Sequence, residues 1–299
     1  MGRFFSDPVE QALTYLYYDL RAGQGARAMV LLEEASVWED GDASCLLAQC
    51  LRGPRYVWSG HHFAGDDERF RKLMRLSVRQ GSALGVLLSL RSRELSDGIG
   101  DAMPFASLQE AFDTVRKKAQ GGEPFCQYAV GNACYGWDFL RIEGKTEDSF
   151  AGAAEYDCYM KEHISACEDW FWKALRGGMH LAADRLNEYY TKGDAPYVQP
   201  APEKAQEPWR VGAELGCPAH QRIWAARLEK EGQFKEALRW YTAAARGGEP
   251  ETWYDVGRFY EEGLGVQKDL WSALNCYEIG TRNGEAKSGS RRDALRGWG

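Results

Sequence analysis

The chain has 299 residues, 44% of them hydrophobic and 27% charged, and a formal net charge of −7. That composition suits a globular fold with an ample buried core. The acidic balance argues against a general nucleic-acid binder, whose phosphate contacts need a basic face, and no apolar run approaches the roughly 20 residues a membrane helix requires.

The N-terminal stretch MGRFFSDPVEQAL lacks the apolar segment of a secretory signal, and its short match to a myristoylation pattern through Gly2 and Ser6 reads as chance. A cytoplasmic location is the expectation. Eight cysteines, at 45, 50, 126, 134, 158, 167, 217 and 276, contain no C-x-x-C, which argues against a zinc ribbon or a thioredoxin-like centre. Cys126 and Cys134 would lie about 12 Å apart along one helix at 1.5 Å per residue. A disulfide needs Cα atoms within roughly 7 Å. Free buried thiols in a reducing compartment are expected.

A helix-ending glycine followed by a fresh apolar helix recurs along the chain, at Gly41, Gly81, Gly122, Gly178, Gly216, Gly248 and Gly284. The spacings of 40, 41, 56, 38, 32 and 36 residues are those of a helical repeat array. Two junctions share the tetrapeptide GGEP, at 121–124 and 247–250, where glycine suits the left-handed C′ position and proline the next helix start. Eleven positions before the junctions lie Val30, Phe70, Ala111, Cys167, Ala205, Ala237 and Ala273. Seven before lie Glu34, Met74, Val115, Phe171, Trp209, Tyr241 and Tyr277, large and apolar except in the first repeat. Nine after the junctions come Gly131, Asn187, Ala225 and Gly257, small enough to let helices approach. Small columns facing large ones are what a repeated helix–helix interface requires.

The stretch 248–284 states the repeat most clearly. Trp253, Val256 and Tyr260 recur at helical spacing, Gly263 stops the helix, and Asp269 is a plausible N-cap for a second amphipathic run. Through Thr252, Val256, Gly257, Tyr260, Gly263, Gly265, Val266, Asp269, Ala273, Cys276 and Tyr277, this stretch resembles the Sel1-like repeat, a relative of the tetratricopeptide repeat. The preceding repeat keeps Phe234, Ala237, Trp240, Tyr241, Ala244 and Ala245 but shortens the loop to EKEGQ. The resemblance is strong over about 122–284 and degenerate before it. It implies an all-α fold, a right-handed αα-superhelix (solenoid) of about seven helical hairpins, forming a single domain with a C-terminal cap or tail at 285–299.

Three stretches depart from the pattern. The loop 51–67 gathers Tyr56, Trp58, His61, His62 and Phe63. It is a candidate binding loop, the plainer reading being that Trp58 and Phe63 tuck it onto the array. The insertion 135–163 should extend one helix and lengthen the next. Its Cys158 and His163, with the nearby Cys167, point apart on a helix and so make no metal site. The segment 191–209 holds four prolines and reads as an extended connector, with Pro202 at a helix start and Pro208 forcing the next helix to kink or begin late.

No nucleophile elbow, phosphate loop, dinucleotide fingerprint or zinc-protease motif is present, and no cofactor or metal is expected. The resemblance implies a scaffolding or regulatory role, and with the charge and the lack of a membrane-length apolar run the expectation is a non-enzymatic scaffold that binds a protein or peptide partner, not nucleic acid or membrane. In such arrays first helices line the concave side, so positions six and ten after each junction are groove candidates: Tyr128, Asn132, Asp184, Glu188, Arg222, Ala226, Tyr254 and Arg258. Replacing Tyr254 and Arg258 should then weaken partner capture without unfolding the array. Trp58, His61 and His62 join as the loop's candidates. The alternatives are a small-molecule or glycan sensor using the aromatic loops, or a β-lactam-binding enzyme like secreted cysteine-rich relatives. Those relatives bridge each repeat with a disulfide, whereas the junction cysteines here lack partners.

Overall fold

The structure, a computed structural model, describes residues 3–21, 23–53 and 56–297. The chain divides into two compact units, the first of residues 1–19 and 23–208, the second of residues 209–299 with the short stretch 20–22. Among the described residues both are helical, with one isolated bridge between Asp194 and Val198 and no strand.

In the first unit α1 (Asp7–Leu13), running on as a π-helical turn through Tyr18, pairs with α2 (Gln24–Val37). Next, α3 (Gly41–Arg52) pairs with α4 (Asp67–Arg79). The third first helix, α5 (Ala83–Ser89), is short, and α6 (Arg93–Ser96) and α7 (Ile99–Ala102) intervene before its mate α8 (Leu108–Gln120). Helix α9 (Pro124–Tyr135) pairs with α11 (Ala153–Arg176), with α10 (Asp138–Ile142) between them, and α12 (Leu181–Lys192) ends the series. The second unit follows from α13 (Glu207–Glu214) with the hairpins α14 (Pro218–Lys230)/α15 (Phe234–Gly247) and α16 (Thr252–Glu262)/α17 (Leu270–Arg282), then α18 (Ala286–Arg296).

The small-against-large columns meet in space. A Cβ on Gly131 would lie 2.8 Å from the Phe171 ring, and one on Gly257 would lie 2.6 Å from Tyr277. Ala225 and Tyr241, at the same two column positions, share a core with Leu228, Val256, Phe259 and Cys276. Each buried aromatic contributes on the order of 1.5–3 kcal/mol, and only a small residue opposite lets the helix backbones close on it. The Gly-Gly doublets divide their labour. Gly122, Gly178 and Gly248 take positive φ of 102°, 99° and 110°. The glycine before two of them is a packing residue: a Cβ on Gly177 would meet Pro124 at 2.6 Å, and one on Gly247 would meet Pro218 at 2.7 Å. Helix starts are capped as the residue types dictate, with Asp40, Asp66, Ser82, Ser107, Glu123, Asp269 and Glu285 accepting from first-turn amides.

The first junction corrects the register. Glu39, at φ 64°, occupies the left-handed position, and Gly41 is already inside α3. Counted from Glu39, the two second-helix columns fall on Ala28 and Leu32, both fully buried, rather than on the exposed Val30 and on Glu34. Pro208 lies in the first turn of α13, so that helix does begin late, and Pro202 opens a turn rather than a helix. The insertion and the connector pack together. Phe139, Met160 and Ile164 form a small core covered by Tyr156, Tyr159, Tyr197 and Val198, and the Trp137 indole donates to Asp194 at 2.9 Å.

Gly257→Ala should therefore destabilise the second unit by about 1–3 kcal/mol through overpacking on Tyr277. The added variant Tyr277→Leu should recover part of that loss, read from urea midpoints. A second prediction concerns Glu123, which is 3% exposed and accepts from the Cys126 amide and from the Tyr18 hydroxyl at 2.8 Å. Burial, only partly offset by those hydrogen bonds, raises its carboxyl above the ordinary value near 4.5. The folded state thus favours the protonated acid, so its contribution is full below that value and is lost as pH rises through the raised one. The stability of the wild type relative to Glu123→Gln should fall as pH rises above about 4.5, measured by urea unfolding; a flat difference would contradict it.

Candidate functional site

The first helices of the first unit build a cavity of about 570 Å³ lined by Tyr56, Tyr128, Leu181, Asp184, Arg185, Glu188 and Lys192. Tyr128 comes from α9, five residues come from successive turns of α12, and Tyr56 reaches in from the 51–67 loop. Residues 181, 184, 185, 188 and 192 lie one turn apart on one face, which explains why a single helix supplies most of the wall. Glu188 accepts from Arg185 at 2.9 Å and from Lys192 at 2.8 Å. Burial pushes its carboxyl up, but the two cations outweigh burial and hold it below the usual range. For Arg185 burial opposes the charge, and the Tyr128 phenol and Glu188 more than compensate. The wall is thus a fixed array of charges and hydrogen-bonding groups beside two aromatic rings.

Tyr128, Asp184 and Glu188 are brought together as the register predicts. Asn132 does not line the cavity: the residue is 3% exposed, and its backbone carbonyl accepts from Arg91. Trp58, also 3% exposed, is buried under the loop and sets its ring edge-on to His61, the centroids 5.1 Å apart. His61 lies against Gly25 and its Nε2 is 3.1 Å from the Leu16 carbonyl. Burial lowers its pKa. Trp58 and His61 thus pack the loop against its neighbours and do not line the cavity, while His62 is exposed. Sequence reasoning missed Arg185, Lys192 and Leu181. Their signal was the helical spacing around Asp184 and Glu188, which the six-and-ten rule sampled only in part.

In the second unit Arg258 is committed to structure. It lies 2.7 Å from Glu229, with Asp255 and Glu262 at 3.8 Å. Glu229 also accepts the Tyr241 hydroxyl at 2.9 Å. The same relay recurs one repeat later, where Glu261 accepts from the Tyr277 hydroxyl at 2.7 Å and from Arg291. Burial raises the Asp255 carboxyl, against the pull of Arg258. Arg222 stands 3.9 Å from Glu249, Ala226 is half-buried, and the Tyr254 ring tilts against Tyr277 at 5.8 Å.

All eight cysteines are free, seven buried and Cys158 exposed. Burial raises the Cys45, Cys50, Cys126 and Cys167 thiols, Cys134 to about 12 and Cys276 to about 11, far from a reactive thiolate. His163 stacks on Phe139 at 4.6 Å.

No family profile matches this chain. A curated relative, DAP3-binding cell death enhancer 1 of Rattus norvegicus, is 28% identical over 98 residues. The match takes in 32% of this chain, which spans only 19% of that protein's length. Among solved structures, the chain is similar to a Sel1 repeat protein from Oxalobacter formigenes, at 23% identity and a TM-score of 0.43, covering 60% of this chain and 67% of that one. It is also similar to c5321, a protective antigen present in uropathogenic Escherichia coli strains and displaying an SLR fold. That likeness has 18% identity and a TM-score of 0.37, covering 96% of this chain and 71% of the other.

Because Arg258 neutralises a half-buried Glu229, Arg258→Ala should cost about 1–3 kcal/mol of stability. That cost accompanies any change in partner capture on replacing Tyr254 and Arg258, expected to leave the array folded. Thermal unfolding of Arg258→Ala beside Arg258→Ala/Glu229→Gln checks it, the second change recovering part of the loss.

Proposed function

We propose that this protein is a non-enzymatic scaffold that captures an extended segment of a protein partner in the first-helix cavity of its first unit. The observation that carries this reading is the convergence of Tyr56, Tyr128, Asp184, Arg185, Glu188 and Lys192 on one cavity of about 570 Å³. An extended peptide brings unpaired backbone N–H and C=O groups, which suit carboxylate and guanidinium side chains. Its side chains can lie on the two tyrosines and Leu181. Tyrosine and arginine are the residue types that most often concentrate binding energy at such surfaces.

Two further points support the reading. The matching rat relative is named for binding another protein, and burial raises the thiols of Cys45, Cys50, Cys126, Cys134, Cys167 and Cys276 rather than poising them as nucleophiles. Free thiols also suit a reducing compartment such as the cytoplasm. Arg222 and Tyr254 form a second candidate patch in the second unit.

Panning a random peptide library against the intact protein, then measuring the recovered peptides by fluorescence polarisation, tests the proposal. Tyr128→Ala and Asp184→Lys, both on half-buried or exposed positions, should each weaken binding about tenfold or more while leaving the far-UV spectrum unchanged. Peptides that bind both variants as tightly as the wild type would place the partner elsewhere.

A further inference from the structure

We propose that the first unit carries a second, smaller site, a pocket for a free aliphatic α-amino acid among α4, α5, α6 and α7. The pocket has a volume of about 110 Å³ and a floor of Val78, Ser89, Leu95 and Ile99, all buried. For comparison, an apolar cavity of about 150 Å³ accepts benzene. The smaller volume here matches one branched aliphatic side chain more closely than an aromatic ring. Gly98, at φ 72°, turns the chain into α7 and separates the exposed Asp97 at the rim from the buried Ile99 on the floor.

The rim says what the ligand must carry. Arg79 and Asp97 both line the pocket and are both exposed, and among the described residues neither makes an ion pair, hydrogen bond or ring contact. Elsewhere in this chain arginines are routinely paired, as Arg91 is with Asp138 and Arg258 with Glu229. Two opposite charges left open beside one apolar floor match the two ends of a zwitterion. Arg79 would take the carboxylate, in the forked geometry guanidinium groups favour, and Asp97 the ammonium. Arg75, one turn before Arg79 on α4 and also lining the pocket, adds positive charge on the carboxylate side. A plain hydrocarbon would use neither charge, and a peptide C-terminus would leave Asp97 without a counterpart.

Calorimetric titration of the full chain with L-leucine, L-leucinamide and 4-methylpentanoate tests the assignment, with a thermal-shift series in parallel. Leucine should bind and raise Tm. Leucinamide, lacking the carboxylate, and 4-methylpentanoate, lacking the ammonium, should each bind about tenfold more weakly or worse, since each loses a charge-assisted hydrogen bond. Phenylalanine should bind more weakly than leucine. Arg79→Gln should weaken leucine about tenfold and erase the preference over leucinamide. Asp97→Asn should erase the preference over 4-methylpentanoate. Both positions are exposed, so an unchanged far-UV spectrum separates loss of the site from loss of the fold. The assignment is overturned by the absence of both heat and Tm shift with leucine, by leucine affinity unchanged in Arg79→Gln, or by 4-methylpentanoate binding as tightly as leucine.

Discussion

Every hairpin of the well-formed repeats depends on one contact, a small residue on the first helix facing a large ring on the second. Gly131 under Phe171 and Gly257 under Tyr277 are its clearest instances. The constraint is steric before it is hydrophobic, because a single added methyl would overlap the ring. Once the backbones are this close, the ring is buried from all sides, as the full burial of Phe171 and near-full burial of Tyr277 show. The remaining column identities follow: small residues where helices cross, and glycine doublets where a helix end passes over the proline that started its partner.

That same contact determines where function can reside. Burying a tyrosine ring brings its hydroxyl to the helix edge, where it needs an acceptor. Tyr241 finds Glu229 and Tyr277 finds Glu261, each thirteen residues after its junction glycine. The carboxylate so placed is half-buried and needs a cation, which the following repeat supplies as Arg258 or Arg291. Arginines that look like groove residues by position are in this way drawn into the scaffold. In the first unit the equivalent ring is Phe171, which has no hydroxyl to satisfy. On α12, Arg185 and Lys192 both pair with Glu188 along one helix face, and all three line the cavity.

The fold was legible in the sequence to the extent that glycine marks the left-handed position. Where a non-glycine residue takes it, as Glu39 does, the register slips by two and the columns of that repeat look degenerate. Once shifted, Ala28 and Leu32 fit as well as any later pair. The site was less legible because position in a repeat fixes the side of a helix but not what lies over it. Asn132 and Asp184 hold related register positions, yet one is covered and the other open. Similarly, the aromatic richness of the 51–67 loop was visible, but not that Trp58 and His61 are packed against their neighbours while Tyr56 reaches the cavity. The placement of His61 depends on contacts with Gly25 and Leu16, far away in sequence.

The two longest departures from the repeat also resolve into one physical statement. The insertion lengthens α11 to 24 residues, more helix than its partner α9 can cover. The excess exposes an apolar stripe of Met160 and Ile164 that must be buried for the helix to persist. Phe139 from α10 and Tyr197 and Val198 from the proline-rich connector bury it, and the Trp137–Asp194 hydrogen bond fixes the connector in place. A connector of this composition would be a stiff, extended spacer on its own. Here it is the lid of a satellite core, so the prolines that prevent it from being helix also hold it extended along the surface it covers.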